Sequence, residues 1–161
     1  MHNFDYDRSQ DNMTWVLAAV PHRPPFRFID DILELDESHI LGSYRYRASE
    51  FFYEGNFPGC PVTPGAILIE TMAQIAGLAF GIFLSRRKSV SHGFDIPILT
   101  CIESVALFAP VYPDERVIVR GERMYFRKQE LKIGDTMTME DGQEVCRSVL
   151  IGTLMRAETI S

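Results

Sequence analysis

Cysteine is scarce. Cys60, Cys101 and Cys146 are three of 161 residues, an odd and widely spaced set that matches neither a disulfide framework nor a CxxC metal or redox motif. A reducing cytoplasm is therefore the expected setting. Bases are in deficit, 16 against 22 acids, and a formal charge of −6 lacks the dense Lys/Arg field that a nucleic-acid partner needs. The opening MHNFDYDRSQDNM is polar and acidic, which is not the pattern of a signal peptide. Long unbroken apolar runs are also missing. The nearest, residues 66–84, contains Glu70, Thr71, Gln74, Gly77 and Gly81, and an unpaired carboxylate near the middle of a lipid-spanning helix is costly. A buried helix in a soluble protein fits better, so no membrane span is expected. Neither GxGxxG nor GxxxxGK occurs, no two histidines have metal-ligand spacing, and no base neighbours Cys60. No phosphate cradle, metal, cofactor or cysteine nucleophile is expected.

What is present is the composition of a soluble globular protein, 46% apolar and 24% charged. One domain over 1–161 is expected, with 1–12 flexible. Asn12 is placed to cap a short helix through Ala19, which Pro21 stops. Residues 26–35 and 39–47 read as strands, the second strictly alternating over Ser43-Tyr44-Arg45-Tyr46-Arg47. Residues 51–65 are dense in Gly, Pro and aromatics and predict a structured loop. Pro64 and Gly65 then open a long helix that is apolar in nearly every direction, the mark of a helix enclosed by the rest of a fold. Ser85-Arg86-Arg87-Lys88 ends it with positive charge, favourable at the negative end of the macrodipole. Residues 97–108, 115–126, 130–139 and 144–156 read as strands, the last two joined by the hairpin signal Asp141-Gly142. One helix apolar all round must be wrapped by the sheet, so the fold class is α+β.

The chemically informative segment is GNFPGCPVTPG at 55–65, followed by AILIETMAQ at 66–74. The loop delivers the chain to a helix N-terminus, where the free N–H groups around Gly65 and Ala66 suit a carbonyl oxygen gaining negative charge. Glu70 lies just over one turn inside an otherwise apolar stretch. Burial there would fit it for acid or base work near neutral pH. Gln74, one turn on at i+4, could equally satisfy Glu70 in a purely structural role.

Pro21-His22-Arg23-Pro24-Pro25-Phe26, the 55–65 loop and Glu70-Thr71-Met72-Ala73-Gln74 together resemble the bacterial 3-hydroxyacyl-acyl-carrier-protein dehydratases. Pro97-Ile98-Leu99-Thr100 and the turn Phe108-Ala109-Pro110-Val111-Tyr112-Pro113-Asp114 are similar to that family's second half, so the resemblance covers about 14–157. It implies the hot-dog fold, an antiparallel sheet wrapped around one long central helix. It also implies a homodimer or trimer of dimers, a site at the dimer interface where loop and helix residues meet from different protomers, and an acyl-carrier-protein or coenzyme A thioester as substrate. It matches Glu70 to the helix carboxylate that manages the hydroxyl group, and the backbone at Gly65 and Ala66 to the oxyanion donors. The residue the resemblance expects as the α-proton base is a histidine, and here it is Asn56, whose amide has no useful basicity at neutral pH. Thr63 replaces a usual Met.

Three readings remain open. The first is a dehydratase with altered chemistry, using Glu70 with Asn56 polarising substrate or holding a water. The second is a hot-dog thioesterase in which Asn56 orients water and Glu70 activates it. The third is a non-catalytic acyl-binding subunit. Phe80 and Phe83 are candidates to line an acyl tunnel. Arg86, Arg87 and Lys88 could meet an acidic carrier protein, or simply form a solvated helix end. His22 reads as a structural residue of its motif, and His2, His39 and His92 as solvated.

Overall fold

The structure, a computed structural model, describes residues 3–88 and 95–156. Helix α1 (Asn3–Ala19) precedes strands β1 (Asp31–Leu35) and β2 (His39–Arg45). Helix α2 (Gly65–Met72) runs through a π-helical segment (Ala73–Ala79) into α3 (Phe80–Lys88) without leaving helical backbone angles, since Ala73 and Phe80 both keep right-handed φ/ψ. Strands β3 (Asp95–Leu107), β4 (Arg116–Arg127), β5 (Glu130–Met139) and β6 (Glu144–Arg156) follow. All six strands pair antiparallel in the order β1-β2-β4-β5-β6-β3.

The rod from Gly65 to Arg87 is long and apolar enough to cross a membrane by composition alone, yet 78% of its most apolar window is buried inside the fold. Its enclosure explains the all-round hydrophobicity. Close approach of helix to sheet is bought with two glycines. A Cβ at Gly121 on β4 would sit 2.6 Å from the Ala76 Cβ, and one at Gly42 on β2 would sit 2.7 Å from the Ile75 side chain. Aromatic edges fill the end of the core beneath the 51–65 loop, where Phe28, Tyr44, Tyr46 and Phe52 stack in tilted or T-shaped pairs.

Two expectations need correction. Helix α1 begins at Asn3 rather than Asn12, because 3–20 contains neither Gly nor Pro and nothing interrupts the ladder before Pro21; of the stretch expected to be flexible, only Met1 and His2 lie outside the described residues. Strand β1 starts at Asp31, not at 26, because Phe26 N–H closes a turn onto Arg23 O and Phe28 N–H is taken by the Gln74 side chain instead of a strand partner. The hairpin at Asp141-Gly142 forms, closed by Gly142 N–H onto Met139 O (3.0 Å) with Gly142 at φ +90°. Strand β3 is a sheet edge, and every residue from Leu99 to Leu107 is exposed.

Candidate functional site

Residues 51–64 fold largely onto themselves. Asn56 N–H donates to Phe52 O (3.0 Å), Val62 N–H donates to Asn56 O (2.9 Å), and Phe57 and Cys60 exchange backbone hydrogen bonds of 3.1 and 2.9 Å. The Asn56 amide Nδ2 donates to Val62 O at 2.9 Å, so its N–H side is spent on holding the loop. Gly59 turns the chain at φ +75°, a region other L residues rarely enter. Thr63 is buried and bonds Tyr53 OH through its hydroxyl (2.6 Å), which gives this polar residue a structural partner. Burial lifts the Tyr53 phenol to about 12, keeping it a neutral hydroxyl. The loop then enters α2, whose first N–H groups at Gly65 and Ala66 have no carbonyl one turn back to receive them. Gly65 lies against Leu107 at the end of β3, where an added Cβ would come within 2.9 Å.

Glu70 sits elsewhere, on a cavity of about 450 Å³ between the helical rod and strands β3, β5 and β6. Its apolar lining includes Ile98, Leu99, Ile133 and Leu150; among the described residues its polar side chains are His22, Glu70 and Gln74. The volume is in the range of small-molecule sites. Glu70 is half-buried, with 26% of its side chain exposed, rather than enclosed as its apolar neighbours in sequence suggest. Gln74 is 1% exposed and fully engaged. It accepts Phe28 N–H on Oε1 (2.7 Å) and donates Nε2 to Phe26 O (3.1 Å) and to Glu70 Oε1 (2.8 Å). The same Glu70 oxygen stands 3.8 Å from His22 Nε2. Burial pushes the His22 imidazole below its usual pKa; Glu70 pulls the other way and Arg27 adds to the lowering. The ring is therefore neutral at pH 7.

This chain resembles known proteins over most of its length. The FabA-like domain matches residues 20–148. The chain belongs to the FabA-like family. The 3-hydroxyacyl-[acyl-carrier-protein] dehydratase FabZ of Thermus thermophilus is 32% identical over 142 residues, covering 88% of this chain and 96% of that protein. The Hydrogenobaculum sp. protein of the same name is 29% identical over 146 residues, covering 90% and 95%. Among solved structures, the dehydratase heterocomplex ApeI:P of Xenorhabdus doucetiae superposes with a TM-score of 0.73 at 13% identity, covering 90% of this chain and 93% of that one. A hypothetical thioesterase with coenzyme A from Streptococcus pneumoniae gives 0.57 at 14% identity, covering 91% and 96%. The fold is the hot-dog fold.

Within one copy of this FabA-like chain, Glu70 and Asn56 fall in separate places; the resemblance has such loop and helix residues meeting from different protomers. Glu70 lines the cavity, whereas Asn56 is not part of that lining and is bonded within its loop. Gly65 borders a second, shallower pocket with Thr63, Leu68 and Phe108. Phe80 and Phe83 do not line the cavity; both are buried in the core, and Gly77 and Leu78 line it instead. Arg86 and Arg87 already have partners. The Arg86 guanidinium lies 4.0 Å from the Trp15 ring centroid, and Arg87 Nε is 2.8 Å from Glu37. Lys88 ends α3, and its side chain lies outside the described residues, as do His2 and His92. His39 pairs with Glu34 and Asp36.

His22 also lines this cavity, a placement the sequence did not suggest. Its only signal was membership of the Pro-His-Arg-Pro-Pro element; nothing in local periodicity could bring it to Glu70. That contact is made by the 21–28 segment being hung on Gln74.

Proposed function

We propose that this chain is a 3-hydroxyacyl-thioester dehydratase with altered chemistry, taking its substrate on acyl carrier protein or coenzyme A. The observation that carries this reading is the cavity: an apolar space whose polar lining is gathered around one carboxylate, in a chain whose relatives bear the dehydratase name. Dehydration of such a substrate breaks the α C–H and β C–O bonds. It needs a base for the α-proton and an acid for the departing hydroxyl. In this reading Glu70 is the acid, one of its oxygens held by Gln74. Asn56 stands where the family resemblance implies the base, and an amide cannot fill that role. The N–H groups of Gly65 and Ala66 are suited to the thioester oxygen.

Oligomerisation belongs to this reading. The exposed edge of β3 offers unpaired backbone together with Leu99, Ile102, Val105 and Leu107, each 39–50% exposed. An edge of this length and apolarity invites a second copy. A homodimer joined there, alone or as part of a trimer of dimers, would bring each chain's β3 and adjoining loop against its partner's.

A thioesterase is the second reading. With Nδ2 tied to Val62, Asn56 keeps Oδ1 as an acceptor that could hold a water. Mass spectrometry of the purified protein with 3-hydroxybutyryl and longer 3-hydroxyacyl thioesters, on both carriers, separates the readings. Enoyl thioester is the expected product. Free acid would establish the hydrolase, and neither product would establish an acyl-binding subunit.

A further inference from the structure

The cavity contains a histidine beside a carboxylate although the loop contains none. His22 Nε2 faces Glu70 Oε1 at 3.8 Å, both side chains line the same 450 Å³ space, and both retain partial exposure, 29% and 26%. The position of His22 is built rather than incidental. Arg23 Nη1 donates to the carbonyls of Val20 and His22, each at 2.8 Å, and Arg27 reaches the same two carbonyls at 3.3 Å and Leu17 O at 2.9 Å. Two guanidiniums thus clamp the backbone on which the imidazole is mounted, and Gln74 fixes the following residues to the helix that carries Glu70. The imidazole meets Glu70 only at 3.8 Å and makes no side-chain hydrogen bond. Its Nδ1 is buried with no hydrogen-bond partner, although a histidine kept for structure would ordinarily have one. The surrounding burial, with Arg27 adding to it and Glu70 pulling the other way, holds the imidazole below its usual pKa.

We infer that His22 is a catalytic base of this chain, taking the α-proton of a 3-hydroxyacyl thioester seated in the cavity while Glu70 protonates the leaving hydroxyl. The inference rests on the dehydratase reading above. In this step the α C–H bond breaks to His22 Nε2 and its electron pair becomes the new C=C bond. The β C–O bond breaks as the Glu70 carboxyl gives its proton, and water leaves. His22 is then an imidazolium and Glu70 a carboxylate. Transfer of the proton between them, directly across the short gap or through one water, restores both groups without any further reactant. Asn56 is not required for this cycle, and its amide remains free to hold the loop.

The test is a cycle of two variants, His22→Gln and Asn56→His, assayed for enoyl thioester on 3-hydroxybutyryl carrier thioesters, with circular dichroism to confirm folding. If His22 is the base, His22→Gln lowers kcat of the wild-type chain by about 10²-fold or more. In the Asn56→His background, where a second imidazole is supplied, the same change costs under about 10-fold. A His22 that merely shapes the fold costs the same factor in both backgrounds, and that result overturns the inference. So does unchanged elimination in His22→Gln. Elimination by Asn56→His but not by the wild type also overturns it while leaving the dehydratase reading intact. Elimination by neither overturns both. Should His22→Gln not fold, His22→Asn and the pH profile replace it: loss of the acidic limb, where the wild-type rate falls as His22 is protonated, supports the assignment, and retention of that limb overturns it.

Discussion

The 51–64 loop and the cavity beside Glu70 are built from neighbouring stretches of chain but treat their polar groups in opposite ways. In the loop, the Asn56 side chain, the Thr63 hydroxyl and much of the backbone are bonded within the loop or to Glu50 and Val111 beside it. Around Glu70, a buried glutamine is saturated while the histidine is left with an unpartnered nitrogen and the carboxylate with an open oxygen. The contrast teaches where reactivity can sit. Hydrogen bonding that fixes a loop consumes the groups that chemistry would need. A pair held at 3.8 Å by clamped backbones keeps them available.

The largest effect that would break this comparison is Glu70→Gln. The carboxylate has no ionisable substitute on the interior of its helix, so turnover should fall by about 10²-fold or more with the far-UV spectrum unchanged. Retention of over about a tenth of the wild-type rate, under ~1.4 kcal/mol of transition-state stabilisation, would make Glu70 structural. Next is Asn56→His, which should raise elimination by about 10²-fold, since an imidazole N–H can take over the bond to Val62 O and leave the other nitrogen basic. Were the chain a thioesterase, the same substitution would lower hydrolysis instead.

Placing charge on the open edge sharpens the comparison at the level of assembly. Ile102→Lys with Val105→Lys should convert the proposed dimer to a monomer in size-exclusion chromatography with light scattering, because each such side chain contributes roughly 1.5–3 kcal/mol when fully buried and lysine protects an edge from pairing. A wild-type monomer at micromolar concentration would defeat the dimer proposal outright.

The sheet interior offers a smaller, pH-dependent check on unsatisfied polar groups. Asp135 is 2% exposed, accepts the Ser148 hydroxyl on Oδ1, and has an unpartnered Oδ2. Burial raises its carboxyl from 3.8 to about 7. The native state therefore holds its proton where the unfolded chain has lost it, and stability falls as pH rises from about 4 to about 7. Asp135→Asn removes this slope. Its advantage over the wild type should grow by something on the order of 4 kcal/mol across that window, at about 1.4 kcal/mol per unit, and level off above pH 8 in urea titrations. Smallest of all is Arg86→Ala, which loses the stacking on Trp15 and should cost about 0.5–1 kcal/mol. If carrier-protein affinity falls tenfold as well, the helix end serves docking in addition to its own anchoring.

Sequence alone determined a good deal. Strands β5 and β6 occupy the expected 130–139 and 144–156, with one register irregularity at Met137/Thr138, because pairing about Asp141-Gly142 is a local event decided by turn chemistry. The enclosed helix was legible for the same reason: residues apolar on all sides have no other stable place. Glu70 and Gln74 on one helix face were legible from i+4 spacing, and their 2.8 Å bond follows from it. Tertiary structure decided the rest. Whether Glu70 would be enclosed or open depended on which strands the helix faced, and whether Asn56 would be free depended on the loop's own closure around Val62. That His22 meets Glu70 depended on Gln74 capturing Phe26 and Phe28 across a long separation in sequence, drawing the proline-bounded segment over the helix. Periodicity reports which face of an element is buried. Only the packing of distant elements against one another sets which polar groups come within reach of each other and which are left without a partner.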